Sequence, residues 1–284
     1  MKNTNLSIVS PDQTELRGRE WIPDETPRAA LCLIHGLGEH GDRYDHVAEA
    51  LNREGIAVVS FDQRGHGTSD GKRGVVTCYA QLMDDVGLQL STTKQKYPDL
   101  PVFLYGHSLG GNMVLCYTLR HLPALAGAIA SAPMIRAANP PPEWQLHLLR
   151  PSHAMKLPVA IPNGIDANNL SHDVSVVQSY KDDPLTHDLI SPTLALEMIE
   201  NGKWILEQAT RTAALCPLLL MHGDADRVTS HKATEELAAI LPDSTLKIWP
   251  GLYHEPHNEP NKEDVLAFVA RWIQQQISLL QTNS

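Results

Sequence analysis

Residues 101–117, PVFLYGHSLGGNMVLCY, leave the chain few choices of fold. An apolar run of strand length ends in Gly106-His107-Ser108-Leu109-Gly110, and a helix-like stretch follows at once. G-x-S-x-G between a strand and a helix is the pattern of a nucleophile elbow. The turn forces the serine up at the carboxyl end of the strand, clear of any sheet, and the flanking glycines let strand and helix pass close together. The helix N-terminus then points its dipole and free N–H groups at charge formed during acyl transfer. A serine N-cap in a glycine-rich turn is the plainer alternative.

The rest of the chain repeats the same rhythm. Runs at 29–36, 55–62, 101–108, 125–132, 216–224 and 244–251 have strand length, and most are too uniformly apolar for a strand with one wet face. Strands buried on both sides of a parallel sheet read this way. Amphipathic stretches lie between them, several stopping at Gly or just before Pro. The alternation predicts βα units in a doubly wound, mostly parallel sheet flanked by helices. NLSIVS and TELRGREWIP predict an antiparallel hairpin ahead of it.

The rhythm fails between about 135 and 205. Nine of the 20 prolines fall within residues 133–192, which disfavours regular sheet interior. The segment still carries Trp144, Leu146, Leu148, Leu149, Met155, Leu157, Val159 and Ile161. An apolar, irregular insertion between core strands is best placed as a cap over a pocket. The expected organisation is therefore a first core part at 1–134, a cap or lid at 135–205 and a second core part at 206–284.

Composition narrows the function. Asp and Glu outnumber Lys and Arg by 33 to 23, a net charge of −10, which argues against nucleic acid and against electrostatic docking to an anionic membrane. No segment has the length of a signal peptide or a membrane span. Cys32, Cys78, Cys116 and Cys216 show no metal-finger or CxxC spacing; Cys32 and Cys216 lie in very apolar runs, where a reduced, buried thiol is the usual state, and a cytoplasmic protein is the simplest expectation.

An elbow serine needs an oxyanion hole, an acid and a base. LIHGLGEHGDRY leaves an earlier strand with a glycine-rich loop in which the Leu37 amide can face Ser108; the Leu109 amide is the second donor. After an elbow, the acid and then the base follow along the chain. Asp224 and Asp226 both end the strand PLLLMHG; Asp226 is preferred because it lies further round the turn, Asp224 reading as an Asx turn. Of the histidines that follow, His231 reads as a helix-start residue, while His254 comes just after the strand LKIWPG and so becomes the base, its tautomer set by Asp226. HEPH at 254–257 is no metal site: the zinc motif needs one more residue between its histidines on a helix, and Pro256 removes the helix.

With these residues in place, the chain resembles the monoglyceride lipase, or lysophospholipase-like, branch of the α/β-hydrolase superfamily. HGLGEHGDRY, FDQRGHGTSDGKRG, GHSLGG, DPL, GDADRV and YHEPHNE carry the resemblance in order over nearly the whole chain. It implies an α/β-hydrolase fold with a lid, a triad of Ser108, Asp226 and His254, and oxyanion donors at Leu37 and Leu109. It also implies that Glu39, Arg43 and His257 hold an alcohol headgroup, directly or through water; a plain i,i+4 ion pair is the other reading of Glu39 and Arg43. The expected reaction is hydrolysis of a monoacylglycerol through an acyl-enzyme, with no cofactor or metal and no partner beyond the lipid ester. The apolar cap predicts transient contact with lipid surfaces, without insertion. The alternatives are a lysophospholipase or general carboxylesterase, a non-catalytic binding protein of the same fold, and a peptidase for small N-terminal residues. That last would need cap acids such as Asp166, Asp173, Asp182 or Asp183 to bind an ammonium group.

Overall fold

The computed structural model describes residues 1–212 and 215–282. Its strands are β1 (Lys2–Val9), β2 (Glu15–Ile22), β3 (Ala29–Ile34), β4 (Ile56–Phe61), β5 (Val102–His107) and β6 (Gly127–Ser131). After them come β7 (Ile161–Pro162), β8 (Leu189–Ile190), β9 (Leu218–Gly223) and β10 (Thr245–Trp249). The α-helices are α1 (Asp45–Arg53), α2 (Tyr79–Lys96), α3 (Leu109–His121), α4 (Glu143–Ala154), α5 (Val174–Asp182), α6 (Pro192–Ala209), α7 (His231–Ile240) and α8 (Lys262–Thr282).

Among the described residues, eight strands form one sheet in the order β1-β2-β4-β3-β5-β6-β9-β10. The β1–β2 hairpin and the β2–β4 pair are antiparallel, and every pair from β4 through β10 is parallel. This is the α/β-hydrolase fold. The alternation of side chains in the parallel strands explains their uniformly apolar sequences. In β3, Ala30, Cys32 and Ile34 face a core with α2, α3, α6 and α7, while Ala29, Leu31 and Leu33 face one with α1 and α8. Leu218 and Leu220 of β9 divide from Leu219 and Met221 in the same way. Each such leucine contributes about 2 kcal/mol by its removal from water.

The chain runs from β3 outward to β4, then returns to place β5 on the other side of β3. The loops after β3 and β5 therefore diverge, and the crevice between them is where open α/β sheets bind ligands. One loop carries Leu37 and the other Ser108.

The 135–205 segment is more regular than its prolines suggested. It holds α4, α5, a two-residue β7–β8 bridge and most of α6. Pro192 is compatible with this because it occupies the first turn of α6, where no amide is needed, after an N-cap Ser191 that accepts the Leu194 N–H, whereas Pro151 lies inside α4. Residue 205, the expected end of the cap, lies inside α6, whose Leu194, Ile205 and Ala209 join the core cluster of Met113 and Leu237.

Candidate active site

Ser108 sits between β5 and α3 with φ 53° and ψ −114°, a left-handed φ that costs a non-glycine residue about 1–3 kcal/mol. The strain is held in place by close packing on both sides. A Cβ on Gly106 would lie 2.2 Å from the Gly110 carbonyl oxygen, and one on Gly110 2.1 Å from that of Ile34. The backbone is further pinned by Ser108 N–H to Ser131 O and Met134 N–H to Ser108 O, both 3.0 Å.

The loops after β9 and β10 bring the other two groups in. His254 Nε2 lies 2.9 Å from Ser108 Oγ, and His254 Nδ1 lies 2.8 Å from Asp226 Oδ2. Asp226 also accepts the Val228 and Thr229 amides on Oδ1, at 2.7 and 3.0 Å. Burial opposes the Asp226 charge, but His254 and His222 outweigh it and hold the carboxyl far below the usual carboxylate range. Burial likewise opposes an imidazolium at His254, yet the Asp226 carboxylate raises its affinity for a proton above that of a free histidine. Asp224 acts elsewhere, its Oδ1 accepting the Gly251 N–H at 2.6 Å and so tying the two strand-end loops together.

Leu37 and Leu109 line the same cavity as Ser108, and among the described residues neither backbone N–H donates to another protein group. For Leu109 this follows from its place as the first residue of α3, where helical amides have no partner. The Leu37 loop is braced from the loop after β4. Gln63 donates its amide N–H to His35 Nε2 at 2.8 Å, and Asp62 accepts the Gly41 N–H at 2.8 Å.

Two spaces meet at Ser108. The larger, about 840 Å³, runs under the cap and is lined by Leu37, Trp144, Leu148, Leu149, Ile161 and Met198 among others. The smaller, about 20 Å³, lies between Ser108, His254, Glu39, Arg43, Tyr180 and Glu255. Arg43 is the centre of this chamber. It makes a two-pronged pair with Glu255 (2.8 and 2.8 Å), bonds Glu39 Oε2, and its guanidinium lies 4.9 Å from the Tyr180 ring centre. Burial works against the Arg43 charge, and the two carboxylates overcome it. Glu39 Oε1 in turn accepts the Gly36 N–H (2.5 Å) and the Tyr44 hydroxyl (2.8 Å), so Glu39 and Arg43 form both an ion pair and a wall of the chamber.

His257, expected as a headgroup contact, is not in that wall. Its ring is buried, stacked on Tyr44 at 4.8 Å and set edge-on to His107 at 4.8 Å, and it lines neither space. The short 3-10 turn at Pro256–Asn258 turns its side chain down into the packing under the site. Burial lowers its pKa to about 3, and among the described residues neither ring nitrogen has a hydrogen-bond partner. Replacing an unpartnered ring by an apolar ring of similar shape costs little. His257→Phe is therefore expected to keep KM for a glycerol ester within about twofold and to leave Tm unchanged or higher. A several-fold rise in KM at unchanged Tm would return His257 to the headgroup.

Glu255, Tyr180, His107 and His222 belong to the site and carried no signal of their own in the sequence. Glu255 is adjacent to His254, but its role depends on Arg43, 212 residues away.

A serine, histidine and aspartate in hydrogen-bonded series at the strand ends of this fold, beside two free amides, define a serine hydrolase of the α/β-hydrolase class. The chain belongs to the serine aminopeptidase S33 family, whose model matches residues 25–261. It is 33% identical over 256 residues to a monoacylglycerol lipase of Mycolicibacterium smegmatis, covering 89% of this chain and 90% of that one. A crystal structure of a Paleococcus ferrophilus monoacylglycerol lipase superposes with a TM-score of 0.81 at 29% identity, over 97% of this chain and 100% of that chain. An abhydrolase domain-containing protein of Dictyostelium discoideum is 36% identical over 98% of this chain, which spans 30% of that longer protein.

Proposed function

We propose that the protein is a carboxylic ester hydrolase that cleaves monoacylglycerol to fatty acid and glycerol. The reading rests on one observation: the Ser108–His254–Asp226 series stands where a deep apolar cavity meets a small charged chamber. The acyl chain takes the apolar side, where each buried methylene contributes about 0.8 kcal/mol. The glycerol hydroxyls take the side of Glu39, Arg43 and Tyr180, through a bridging water where they do not reach. Ser108 Oγ, its proton taken by His254 Nε2, attacks the ester carbon, and the Leu37 and Leu109 amides hold the oxyanion. His254 then protonates the departing glycerol oxygen, and a water activated by the same imidazole releases the fatty acid.

The residues Ser108, Asp226 and His254 as triad, Leu37 and Leu109 as oxyanion donors, and Glu39 and Arg43 as headgroup contacts are the assignments this mechanism needs. The cap comprises α4, α5 and their loops. Trp144, Leu148 and Met155 on or just after α4 are 62%, 69% and 63% exposed, which favours transient contact with the lipid surface that supplies the substrate. Among the described residues no helix is long and apolar enough to cross a membrane. Burial pushes the Cys32 and Cys116 thiols up to about 12, and all four cysteines are unpaired, which suits a cytoplasmic setting.

The peptidase alternative fares worse because the cap carboxylates are otherwise engaged. Asp173 caps α5, Asp183 bonds His40 at 2.9 Å and Asp182 bonds Gln178 at 2.8 Å; Asp166 lines the large cavity but caps a short turn. The test is a panel of monoacylglycerol, diacylglycerol, lysophosphatidylcholine, p-nitrophenyl esters of graded length and an aminoacyl anilide. Monoacylglycerol is expected to have the highest kcat/KM, with none on the anilide. A clear preference for the lysophospholipid would overturn the headgroup assignment.

A further inference from the structure

Asp226 serves two histidines. His222, the penultimate residue of β9, is wholly buried, with Nε2 3.0 Å from Asp226 Oδ2, the same oxygen that faces His254. Its Nδ1 lies 2.7 Å from Thr234 Oγ1 on α7. A carboxylate oxygen can only accept, so the ring's proton sits on Nε2, and the Thr234 hydroxyl donates to Nδ1. Burial disfavours a second proton on this ring, against the pull of Asp226. Thr229 Oγ1 lies within 2.8 Å of Asp226 Oδ2 and 3.1 Å of His222 Nε2, and completes the shell. A leucine would fill this space in β9 at lower desolvation cost. The imidazole instead directs its one N–H at the acid of the proposed triad.

We propose that His222 is a positioning residue that fixes the Asp226 carboxylate and, by drawing on the same oxygen, limits how strongly Asp226 holds a proton on His254. The inference rests on the reading of Ser108, His254 and Asp226 as a triad. Two imidazoles on one oxygen divide its charge, so His254 is freed as a base at lower pH than it would be with Asp226 to itself. His231 on α7 stands 6.4 Å from His222, ring centre to ring centre. Around His254, Glu255 and Glu39 favour its protonation, while His107, 4.8 Å away, and His257 are held neutral by burial.

The experiment is the pH profile of kcat/KM on monoacylglycerol for wild type, His222→Leu and His222→Gln. With His222→Leu, the acid limb is expected to move up by about half a pH unit, because the hydrogen bond lost from Asp226 leaves more of its charge to His254, with kcat down roughly tenfold. His222→Gln keeps an N–H donor at similar reach and is expected to restore the wild-type limb. An unmoved limb in His222→Leu, or a limb in His222→Gln shifted as in the leucine variant, overturns the proposal. If the leucine variant does not fold, the wild-type protein decides by ¹⁵N NMR of His222. Nε2 protonated and Nδ1 bare from roughly pH 5 to 9 is expected, and the reverse tautomer or a doubly protonated ring overturns it. Ser108→Ala and Asp226→Asn serve as controls. If they stay active the triad reading fails, whatever the His222 variants do.

Discussion

Ser108→Ala is expected to abolish ester hydrolysis, with kcat down by about 10⁶-fold, while the Tm is retained. The fold should survive because the backbone at 108 is held by Ser131 O, Met134 N–H and the two close glycine contacts, none of which involves the hydroxyl. The left-handed φ of 53° costs alanine about what it costs serine. What is lost is the Oγ 2.9 Å from His254 Nε2, and with it every covalent step. Labelling by a fluorophosphonate should vanish together with turnover. Turnover that persists at a tenth of the wild-type rate would place the nucleophile elsewhere.

Asp226→Asn is expected to lower kcat by about 10⁴-fold, more than any other isosteric change in the site. An amide at this position can turn its NH₂ toward His254 and favour the wrong tautomer, leaving Nε2 protonated and unable to take the Ser108 proton. The pH dependence gives an independent sign. Asp226 raises the proton affinity of His254, and only the neutral imidazole is a base, so activity falls as pH drops through that raised value. Removing the charge lowers the value, and the acid limb of the residual activity should move to lower pH. His222→Leu is expected to move the same limb upward, so the two variants shift it in opposite directions. A residual Asp226→Asn limb that stays where the wild type has it would mean that Asp226 orients His254 without acting on its charge.

The fold could be read from the sequence because its causes are local and repeated. Most of the six runs, ALCLI and LLLMHG among them, are apolar at both parities and demand a sheet covered on two faces, and each of the six became a parallel strand within a residue or two of its expected ends; the more polar TLKIW forms the edge strand β10. The cap was harder. Its prolines mark loops and a helix start equally well, and only Ser191 beside Pro192 separates the two. In the site, the chain order that selected Ser108, Asp226 and His254 reflects strand order, since each lies at the carboxyl end of a strand in one sheet. Their hydrogen-bonded distances follow from that placement. Asp226 over Asp224 could be argued from reach around the turn. The fate of His257 could not, because a buried stack on Tyr44 and a place in a headgroup wall look the same in the string YHEPHNE. Glu255 and His222 were hidden for the converse reason. Each matters through a partner, Arg43 or Asp226, whose position only the assembled sheet supplies.

The most direct test of the central claim is peptide mapping of the fluorophosphonate-labelled protein, with the labelling rate measured in the presence and absence of a long-chain monoacylglycerol. The label is expected on the peptide containing Ser108, and monoacylglycerol should slow its appearance in proportion to occupancy. A label on another residue, or a rate indifferent to monoacylglycerol but suppressed by lysophosphatidylcholine or an aminoacyl anilide, would contradict it.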